Sequence, residues 1–293
     1  MSPMSPRLLR PRAAGGFSPK NISGLVAWFD AEDVSTFTLS GSDVSEWRDK
    51  SGNGYAVAQS DSNNRPARTG TVGGRACIDF DGTNDRLSTD DTGLGTAMSG
   101  DKAATVFVVA EMQTSAENAI NNQGTWISWG SSTSGTPFVY FRSNGTSGGG
   151  SGVNLRNDSS ATTGQPSTGQ QLPAGDGSSD GTAVDSFIFS GSIPTAASGD
   201  FVVSRVHTVM SATGDGIAGR PSNGSINTAT ASRAGTVTVN RFTVGALGRN
   251  NFGDFFPGRI AEVIIYSRVL SAAERSRIVQ WLESRYKLST PVL

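Results

Sequence analysis

Short runs of β-branched and aromatic residues, each bounded by turn-forming residues, recur along most of this 293-residue chain. Val, Ile, Phe, Tyr and Trp favour extended backbone, whereas Gly, Asn, Asp and Pro end strands and form turns. The 37 glycines and a charged fraction of only 17% fit many short strands joined by tight turns. The pattern therefore predicts two packed antiparallel sheets rather than a helical bundle. The predicted strands are residues 25–29, 77–80, 105–110, 126–129, 138–141, 186–189, 201–210, 236–244 and 260–266.

One amphipathic helix is predicted after the last strand. Ser271 and Glu274 have the spacing of a capping box, in which each side chain satisfies a free amide of the first helical turn. Large apolar residues then recur three to four positions apart, so they share one face of the helix. We expect that face to pack on a sheet as a structural clamp. Its residues are Ile278, Trp281, Leu282 and Tyr286.

Motifs at both ends of the chain carry a family resemblance. Near the N-terminus they are G-L-V-A-W-F-D-A, W-R-D-K-S-G-N-G and I-D-F-D-G-T-N-D, which begin at Gly24, Trp47 and Ile78. Near the C-terminus the pattern is F-x-G-x-I-x-E-V-x-I-Y-x-R-x-L-S-x-x-E, beginning at Phe256. Together they resemble the concanavalin A-like lectin and glucanase family, of the laminin-G type. The resemblance covers roughly residues 22–90 and 236–288.

The resemblance implies an all-β fold, a two-sheet antiparallel jelly-roll sandwich with a short C-terminal helix. One domain is then expected over residues 22–293, preceded by an extended Pro/Arg-rich N-terminal arm at residues 1–21. Two polar stretches, about 142–183 and 211–234, have too few apolar residues to form a core. We expect them to be long exposed loops, although part of the second fits an edge hairpin.

Variants close to G-L-x-x-W-x-D-A are common in bacteriophage particle proteins, so the resemblance implies a virion role. The expected function is that of a phage-type structural or decoration protein whose lectin-like sandwich binds host surface glycans. We expect it to be a homo-oligomer in the virion, made in the host cytoplasm, because no signal peptide opens the chain. The alternative is a stand-alone carbohydrate-binding or glycan-cleaving protein.

The N-terminal arm is the expected site of attachment to other virion proteins. Four cations precede the first acid, Asp30, in a proline-rich segment. An ordinary charged terminus explains the same composition, and a docking arm is the sharper hypothesis. Under that hypothesis, deleting residues 1–20 leaves the melting transition of the sandwich unchanged. The cations are Arg7, Arg10, Arg12 and Lys20.

Charge and hydropathy argue against two other classes of partner. The net charge of −1 and a pI near 5.9 give no basis for nucleic acid binding, and the arm has too few cations for a basic stripe. No stretch of the sequence approaches the length of a membrane span.

The sequence contains no motif that indicates a catalytic residue. Glucanases of this fold carry E-x-D-x-x-E on one strand, which places two carboxylates in the cleft, and this spacing is absent here. Glu262 fits a structural strand acid. His207, the sole histidine, lies within a strand pattern without a nucleophile motif, and the single cysteine, Cys77, fits a buried strand position. The protein is therefore expected to bind rather than cleave.

Two aspartate-rich turns are candidate calcium sites. The loop that starts at Asp49 mimics the beginning of an EF-hand, but Ser60 stands where that loop requires a bidentate Glu, so a turn held by Asx hydrogen bonds is the better explanation. A denser group of oxygen ligands begins within the second predicted strand and continues into the turn after it. If Ca²⁺ binds, we expect it at Asp79, Asp81 and Asp85.

Sugar binding requires an exposed aromatic plate, because a pyranose ring presents an apolar face and a polar edge. Trp126 and Trp129 cannot both lie on one face of a regular strand, so one of them is expected to point outward. Core packing is the competing explanation for both. The candidate carbohydrate-binding residues are Trp126, Trp129 and Tyr140.

Overall fold

The computed structural model describes residues 16–90, 92–100, 102–112, 124–132, 138–144, 151–158, 167–172, 185–193, 200–203, 205–212, 229–232, 239–249 and 251–287. Three of the arm cations, Arg7, Arg10 and Arg12, lie outside these residues. The first strands are β1 (Leu25–Asp30), β2 (Phe37–Ser40), β3 (Asp43–Arg48), β4 (Ala56–Ala58), β5 (Thr71–Val72), β6 (Arg75–Ala76), β7 (Ile78–Asp81), β8 (Leu87–Thr89), β9 (Ala104–Met112), β10 (Thr125–Gly130) and β11 (Phe138–Asn144). They are followed by β12 (Ser151–Asp158), β13 (Ser167–Leu172), β14 (Asp185–Ile193), β15 (Asp200–Val203), β16 (Arg205–Ala212), β17 (Ala229–Ser232), β18 (Arg241–Val244), β19 (Leu247–Gly248), β20 (Phe252–Gly253) and β21 (Pro257–Tyr266). The α-helices are α1 (Thr92–Met98) and α2 (Ala272–Tyr286), and short 3-10 helices lie at Pro19–Asn21, Val34–Thr36 and Ser62–Asn64.

Two large antiparallel sheets confirm the predicted all-β sandwich. The six-stranded sheet has the order β1-β21-β9-β14-β16, with β7 also paired to β21. The nine-stranded sheet has the order β13-β12-β11-β10-β18-β8-β4-β3-β2. Each of the nine predicted runs overlaps at least one of these strands or the β15–β17 ribbon.

The main core lies between the two sheets and follows from strand alternation. In β1, Ala27 and Phe29 enter this core, whereas Trp28 points to the opposite side of the six-stranded sheet. From the nine-stranded sheet, Trp47 and Phe242 meet Phe29, with ring centroids 5.3 and 6.1 Å from it. The resemblance motifs at the two chain ends are also direct neighbours, because β1 pairs with β21.

Helix α2 forms a third layer on the far face of the six-stranded sheet. The predicted capping box is confirmed, because Ser271 Oγ accepts from the Glu274 amide and Glu274 accepts from the Ser271 amide. Ile278, Leu282 and Tyr286 are fully buried in a second apolar cluster with residues of the sheet. The predicted clamp is therefore present. Trp281 is only partly buried and packs edge-on against Trp28 and Phe17.

The last residues of the predicted arm belong to the sandwich, which corrects the expected domain start at residue 22. Pro19 is buried, and its carbonyl oxygen accepts a 2.9 Å hydrogen bond from the Tyr266 hydroxyl. Phe17 packs on Trp281, with ring centroids 6.2 Å apart. The arm cation Lys20 is exposed beside these anchored residues. Deleting residues 1–20 would remove these contacts, so the expectation of an unchanged melting transition no longer holds.

The polar stretch at residues 142–183 was predicted to be a loop, and this is wrong for the part that the structure describes. Strands β12 and β13 extend the nine-stranded sheet there. Backbone hydrogen bonds build these strands without a strongly apolar sequence, and Val153 and Leu155 in β12 give only a faint alternation. In the second polar stretch, Ala229–Ser232 forms a two-stranded ribbon with β15, as the edge-hairpin alternative allowed.

Candidate functional site

The two tryptophans predicted to bind sugar are both core residues. Trp126 has no exposed surface and Trp129 is 3% exposed, and both join the cluster between the sheets. A register shift between Thr125 and Ile127 places Trp126 at a β-bulge, which resets the alternation on which the prediction relied. Tyr140 lies opposite Ser128 in the strand register, and its side chain is outside the described part of the structure.

A row of small residues and one glutamate crosses the outer face of the nine-stranded sheet, the face turned away from the core. In an antiparallel sheet, residues directly opposite in register share a face. Each residue of the row alternates along its strand with a core residue such as Phe242, Leu87 or Trp47. In register order the row is Ser128, Thr243, Ser88, Ala58, Glu46 and Thr38.

The β19–β20 hairpin covers one end of this row. Ser128 Oγ donates to the Ala246 carbonyl oxygen at 3.0 Å and accepts from the Gly248 amide at 2.9 Å. A Cβ at Gly248 would lie 2.1 Å from Thr243 Oγ1, so only glycine allows this close approach. Ser128 and Thr243 are consequently buried.

The rest of the row is open and forms what we call the open strip, made of Ser88, Ala58, Glu46 and Thr38. Ala58 and Thr38 are exposed, and Ser88 is half-buried. The Glu46 side chain is 37% exposed and forms an ion pair with Arg48, which also donates to Thr38 Oγ1 at 2.9 Å. The strip is thus a shallow surface of small side chains, with hydrogen-bonding groups at the β2–β3 end.

An arginine–phenylalanine cluster, formed by Arg86, Arg241 and Phe252, borders the strip on the hairpin side. The guanidinium carbons of Arg86 and Arg241 lie 4.2 and 4.7 Å from the centroid of the half-buried Phe252 ring. Arg241 binds the Asp90 carboxylate through two hydrogen bonds of 2.6 and 2.7 Å. Asp90 leaves 58% of its side chain exposed, so the cluster presents acceptor as well as donor groups to solvent.

Burial lowers the pKa of Arg86, and the adjacent Arg241 guanidinium acts in the same direction. The positive charge of Arg86 is therefore held in a partly desolvated position beside a second cation. Such a group interacts more strongly with an approaching anion than a fully hydrated arginine does.

Sequence reasoning did not select any residue of the strip or the cluster. Phe252 carried one usable signal, because it is an aromatic residue in the polar turn sequence Arg249-Asn250-Asn251-Phe252-Gly253. Aromatic side chains in such turns have little apolar surface to pack against. The strip had no comparable signal, since Ser88 and Ala58 become neighbours only through the pairing of β4 with β8.

The predicted calcium ligands Asp79, Asp81 and Asp85 are engaged by groups of the protein itself. One oxygen of Asp81 accepts from the backbone amides of Thr83, Asn84 and Asp85, and Asp79 lies 3.4 Å from Arg259. Within the described residues, no group of three or more His, Cys, Asp or Glu side chains is placed to hold a metal ion. Hydrogen bonds from backbone amides to the carboxylates of Asp81 and Asp85 close the turn instead. The Asp85 carboxylate, for example, accepts from the Asp81 amide at 3.0 Å.

The loop at Asp49 is an Asx turn, as the sequence indicated. One Asp49 oxygen accepts from the Ser51 amide at 2.8 Å and from the Trp28 amide at 2.6 Å. Asn53 Nδ2 donates to the Val26 carbonyl oxygen at 2.7 Å. These bonds fasten the loop to β1.

The buried carboxylates lie under helix α2, on the opposite side of the molecule from the open strip. Glu262 is 1% exposed and accepts from Trp28 Nε1 at 2.6 Å and from the Tyr286 hydroxyl at 2.7 Å. Arg285 binds both oxygens of the buried Asp30 at 2.8 and 2.7 Å and lies 3.2 Å from Glu262. Burial, followed by repulsion from Asp30, raises the pKa of Glu262 to about 7.

The raised pKa of Glu262 is the one feature shared with a catalytic carboxyl group, because its oxygens are already engaged by Trp28, Tyr286 and Arg285. The two other residues with reactive side chains, Cys77 and His207, lie beside or within strands. Cys77 is buried, which raises the pKa of its thiol to about 12. His207 lies in β16 opposite Ser190.

No helix in the described parts of the chain is long and apolar enough to cross a membrane.

Comparisons with known proteins give structural similarity only. The sequence matches no protein-family model and no curated protein. The CBM40 of Ruminococcus gnavus IT-sialidase, bound to α2,3 sialyllactose, is 16% identical over 69% of this chain and 95% of its own, with a TM-score of 0.41. The botulinum neurotoxin serotype G binding domain is 10% identical over 89% of this chain and 51% of its own, with a TM-score of 0.47. A leech intramolecular trans-sialidase is 16% identical over 68% and 26%, with a TM-score of 0.36. Similarities at this level carry no argument about function.

Proposed function

We propose that this protein is a non-catalytic carbohydrate-binding protein whose ligand lies on the open strip. The observation that carries the proposal is the strip itself, a shallow polar surface bordered by an aromatic ring and by both donor and acceptor groups. Sugars need such a combination, because each ring offers hydroxyl groups at its edge and an apolar face. The family resemblance of the two chain ends supports the same function.

The strip supplies these interactions from known positions. Ser88 and Thr38 provide hydroxyl groups, while Glu46 and Asp90 provide acceptors at its two ends. Ala58 contributes no bulk in the middle, which leaves room for a sugar ring against the sheet. Because these groups sit on paired strands, their spacing is fixed before the ligand arrives, and little side-chain entropy is lost on binding.

The proposal predicts that filling the strip abolishes glycan binding. Ala58→Gln adds a side chain at an exposed position without disturbing the core, so stability should be unchanged. We expect at least a tenfold loss of affinity on a glycan array and in titration of the glycans bound there. Ala273→Gln is the matched control, because Ala273 is exposed on α2 at the opposite surface. Equal binding by both variants and the unmodified protein would contradict the proposed site.

In its more specific form, the proposal is that this carbohydrate-binding protein is a component of a phage-type virion. The fitting ligands would then be host surface polysaccharides, and residues 1–15 would carry attachment to other virion proteins. The anchoring of Phe17 on α2 and of Pro19 on Tyr266 supports this form, because it ties the end of the predicted arm to the sandwich. Incorporation of a protein lacking residues 1–15 into particles tests this form separately from glycan binding.

A further inference from the structure

Arg86 has an unused hydrogen-bonding edge at the border of the open strip. Its Nη1 donates to the Asn84 carbonyl oxygen at 3.0 Å, whereas its buried Nε has no hydrogen-bond partner among the described residues. A buried donor without a partner is unfavourable, so native proteins rarely keep one without a reason. The edge formed by Nε and Nη2 is also the one through which arginine binds a carboxylate or sulfate with two parallel bonds.

The charge of Arg86 is not neutralised by an ion pair within the described residues. Its neighbour Arg241 is paired with Asp90, and so this second guanidinium is already compensated. Asp61 attracts Arg86 from a distance, but Asp61 uses its oxygens to accept from Asn63 and Asn64. The cluster therefore keeps one uncompensated positive charge beside the strip.

We infer that Arg86 recognises a single oxyanion on the bound glycan, either the carboxylate of an acidic sugar or a sulfate ester. This inference rests on the proposed function, since the strip must hold the rest of the sugar. The Phe252 ring, 4.2 Å away, fixes the plane of the guanidinium. Because Nε is buried in the free protein, binding requires a small shift of Phe252, which belongs to the short β19–β20 hairpin.

The test uses pairs of sugars that differ only in the charged group. Glucose is compared with glucuronate, and galactose with galactose 6-sulfate, by NMR titration of the full chain. We expect the charged member of at least one pair to bind roughly 10- to 100-fold more tightly, the range of a hydrogen bond to a charged group. The pair that shows the preference distinguishes a carboxylate from a sulfate ligand.

Substitutions assign the preference to Arg86. Arg86→Gln should abolish the preference, so that the charged and neutral sugars of a pair bind with equal affinity, and Arg86→Lys, which keeps the charge but loses the fork, should retain only part of it. Arg277→Gln is the control, because Arg277 is an exposed arginine that also contacts a phenylalanine ring, on the opposite surface. Melting curves show whether each variant is folded. If Arg86→Gln does not fold, the sugar preference of Arg86→Lys alone tests the inference.

Each outcome has a separate meaning. A preference for charged sugars that survives both Arg86 substitutions overturns the inference. Equal affinity of the unmodified protein for neutral and charged sugars also overturns it, while the proposed function stands. Binding of no sugar in either pair or on the array overturns the proposed function, and the inference fails with it.

Discussion

At the residue scale, several single atoms decide how closely the layers approach. The β5–β6 hairpin abuts the C-terminus of α2, where Arg75 Nε donates to the Arg285 carbonyl oxygen at 2.6 Å. This bond satisfies one of the carbonyl groups that the end of a helix leaves without a partner. Gly73 at the hairpin tip has a φ of 57°, and a Cβ there would lie 1.8 Å from the Tyr286 carbonyl oxygen. The hairpin tip can therefore approach the helix end this closely only with glycine at position 73.

Gly73→Ala should destabilise the protein much more than Gly74→Ala. Both residues have positive φ, which costs an alanine roughly 1–2 kcal/mol. Only Gly73 faces a backbone atom, whereas a Cβ at Gly74 meets nothing within 4 Å, so we expect about 1–3 kcal/mol more for Gly73→Ala. Chemical denaturation of the two variants measures the difference. Equal free energies of unfolding would show that the hairpin tip moves away from the helix at no cost.

Glu262 should make the stability of the protein depend on pH. Its pKa is raised from 4.5 to about 7 in the folded state, so the stability that protonated Glu262 contributes is fully present below pH 4.5 and is lost as the pH rises to about 7. Asp85, whose pKa burial raises to about 6, acts similarly in a lower window.

The measurement is the slope of the unfolding free energy against pH. For Glu262→Gln we expect this slope to flatten, most clearly between pH 6 and 7, where most of the Asp85 contribution to stability has already been lost. Asp85→Asn is the matched control, and it should flatten the slope at lower pH instead. An unchanged slope in Glu262→Gln would mean that Arg285 keeps Glu262 ionised throughout this range.

At the element scale, the sequence predicted those elements whose apolar residues are close together along the chain. Strand β21 and helix α2 were recognisable because Ile260 to Tyr266 is a continuous apolar run and Ser271 begins a capping box. Strands β12 and β13 were missed because their pairing depends on backbone bonds rather than apolar side chains. The bulge at Trp126 was invisible for a related reason, since a register shift is a property of two strands and not of one.

The same limit applies to the candidate site. The residues at its floor come from separate strands. Its border is formed by Arg86 together with Arg241 and Phe252, which both lie far from Arg86 in sequence. Pattern reading detects chemistry only where the chemical groups are neighbours along the chain. The sequence therefore predicted the fold and the aspartate turns. Its prediction of Trp126 and Trp129 as sugar-binding residues was wrong, because both are buried in the core.

The N-terminal segment should behave as two elements in truncation experiments. Deleting residues 1–15 removes none of the described contacts, so the melting temperature should not change. Deleting residues 1–20 removes Phe17 and Pro19 and leaves the buried Tyr266 hydroxyl without its acceptor, which costs about 1–3 kcal/mol before the lost apolar contacts are counted. Thermal melts of the two truncated proteins test this, and coincident curves would contradict the assignment of residues 16–20 to the sandwich.

At the scale of the whole molecule, three layers separate two kinds of polar group. Helix α2 covers one face of the six-stranded sheet, and the carboxylates of Asp30 and Glu262 are sealed beneath it by Arg285. Among the described residues, the β19–β20 hairpin covers one end of the outer face of the nine-stranded sheet and leaves the open strip exposed. The charged groups that stabilise the fold and the groups available to a ligand therefore lie on opposite surfaces.

This separation leads to the last prediction, that the protein binds glycans without cleaving them. A glycosidase needs two carboxyl groups about 5 to 10 Å apart across the bound sugar, one acting as a proton donor. The described carboxylates beside the open strip are Glu46 and Asp90, and each is held by an arginine, Arg48 and Arg241 respectively. Incubation with the glycans that bind should therefore release no new reducing ends over a day at pH 5 to 8, measured against a protein-free control. Release that disappears in Glu46→Gln or Asp90→Asn would contradict the prediction, because those substitutions leave the sheet intact and remove only a carboxylate beside the ligand.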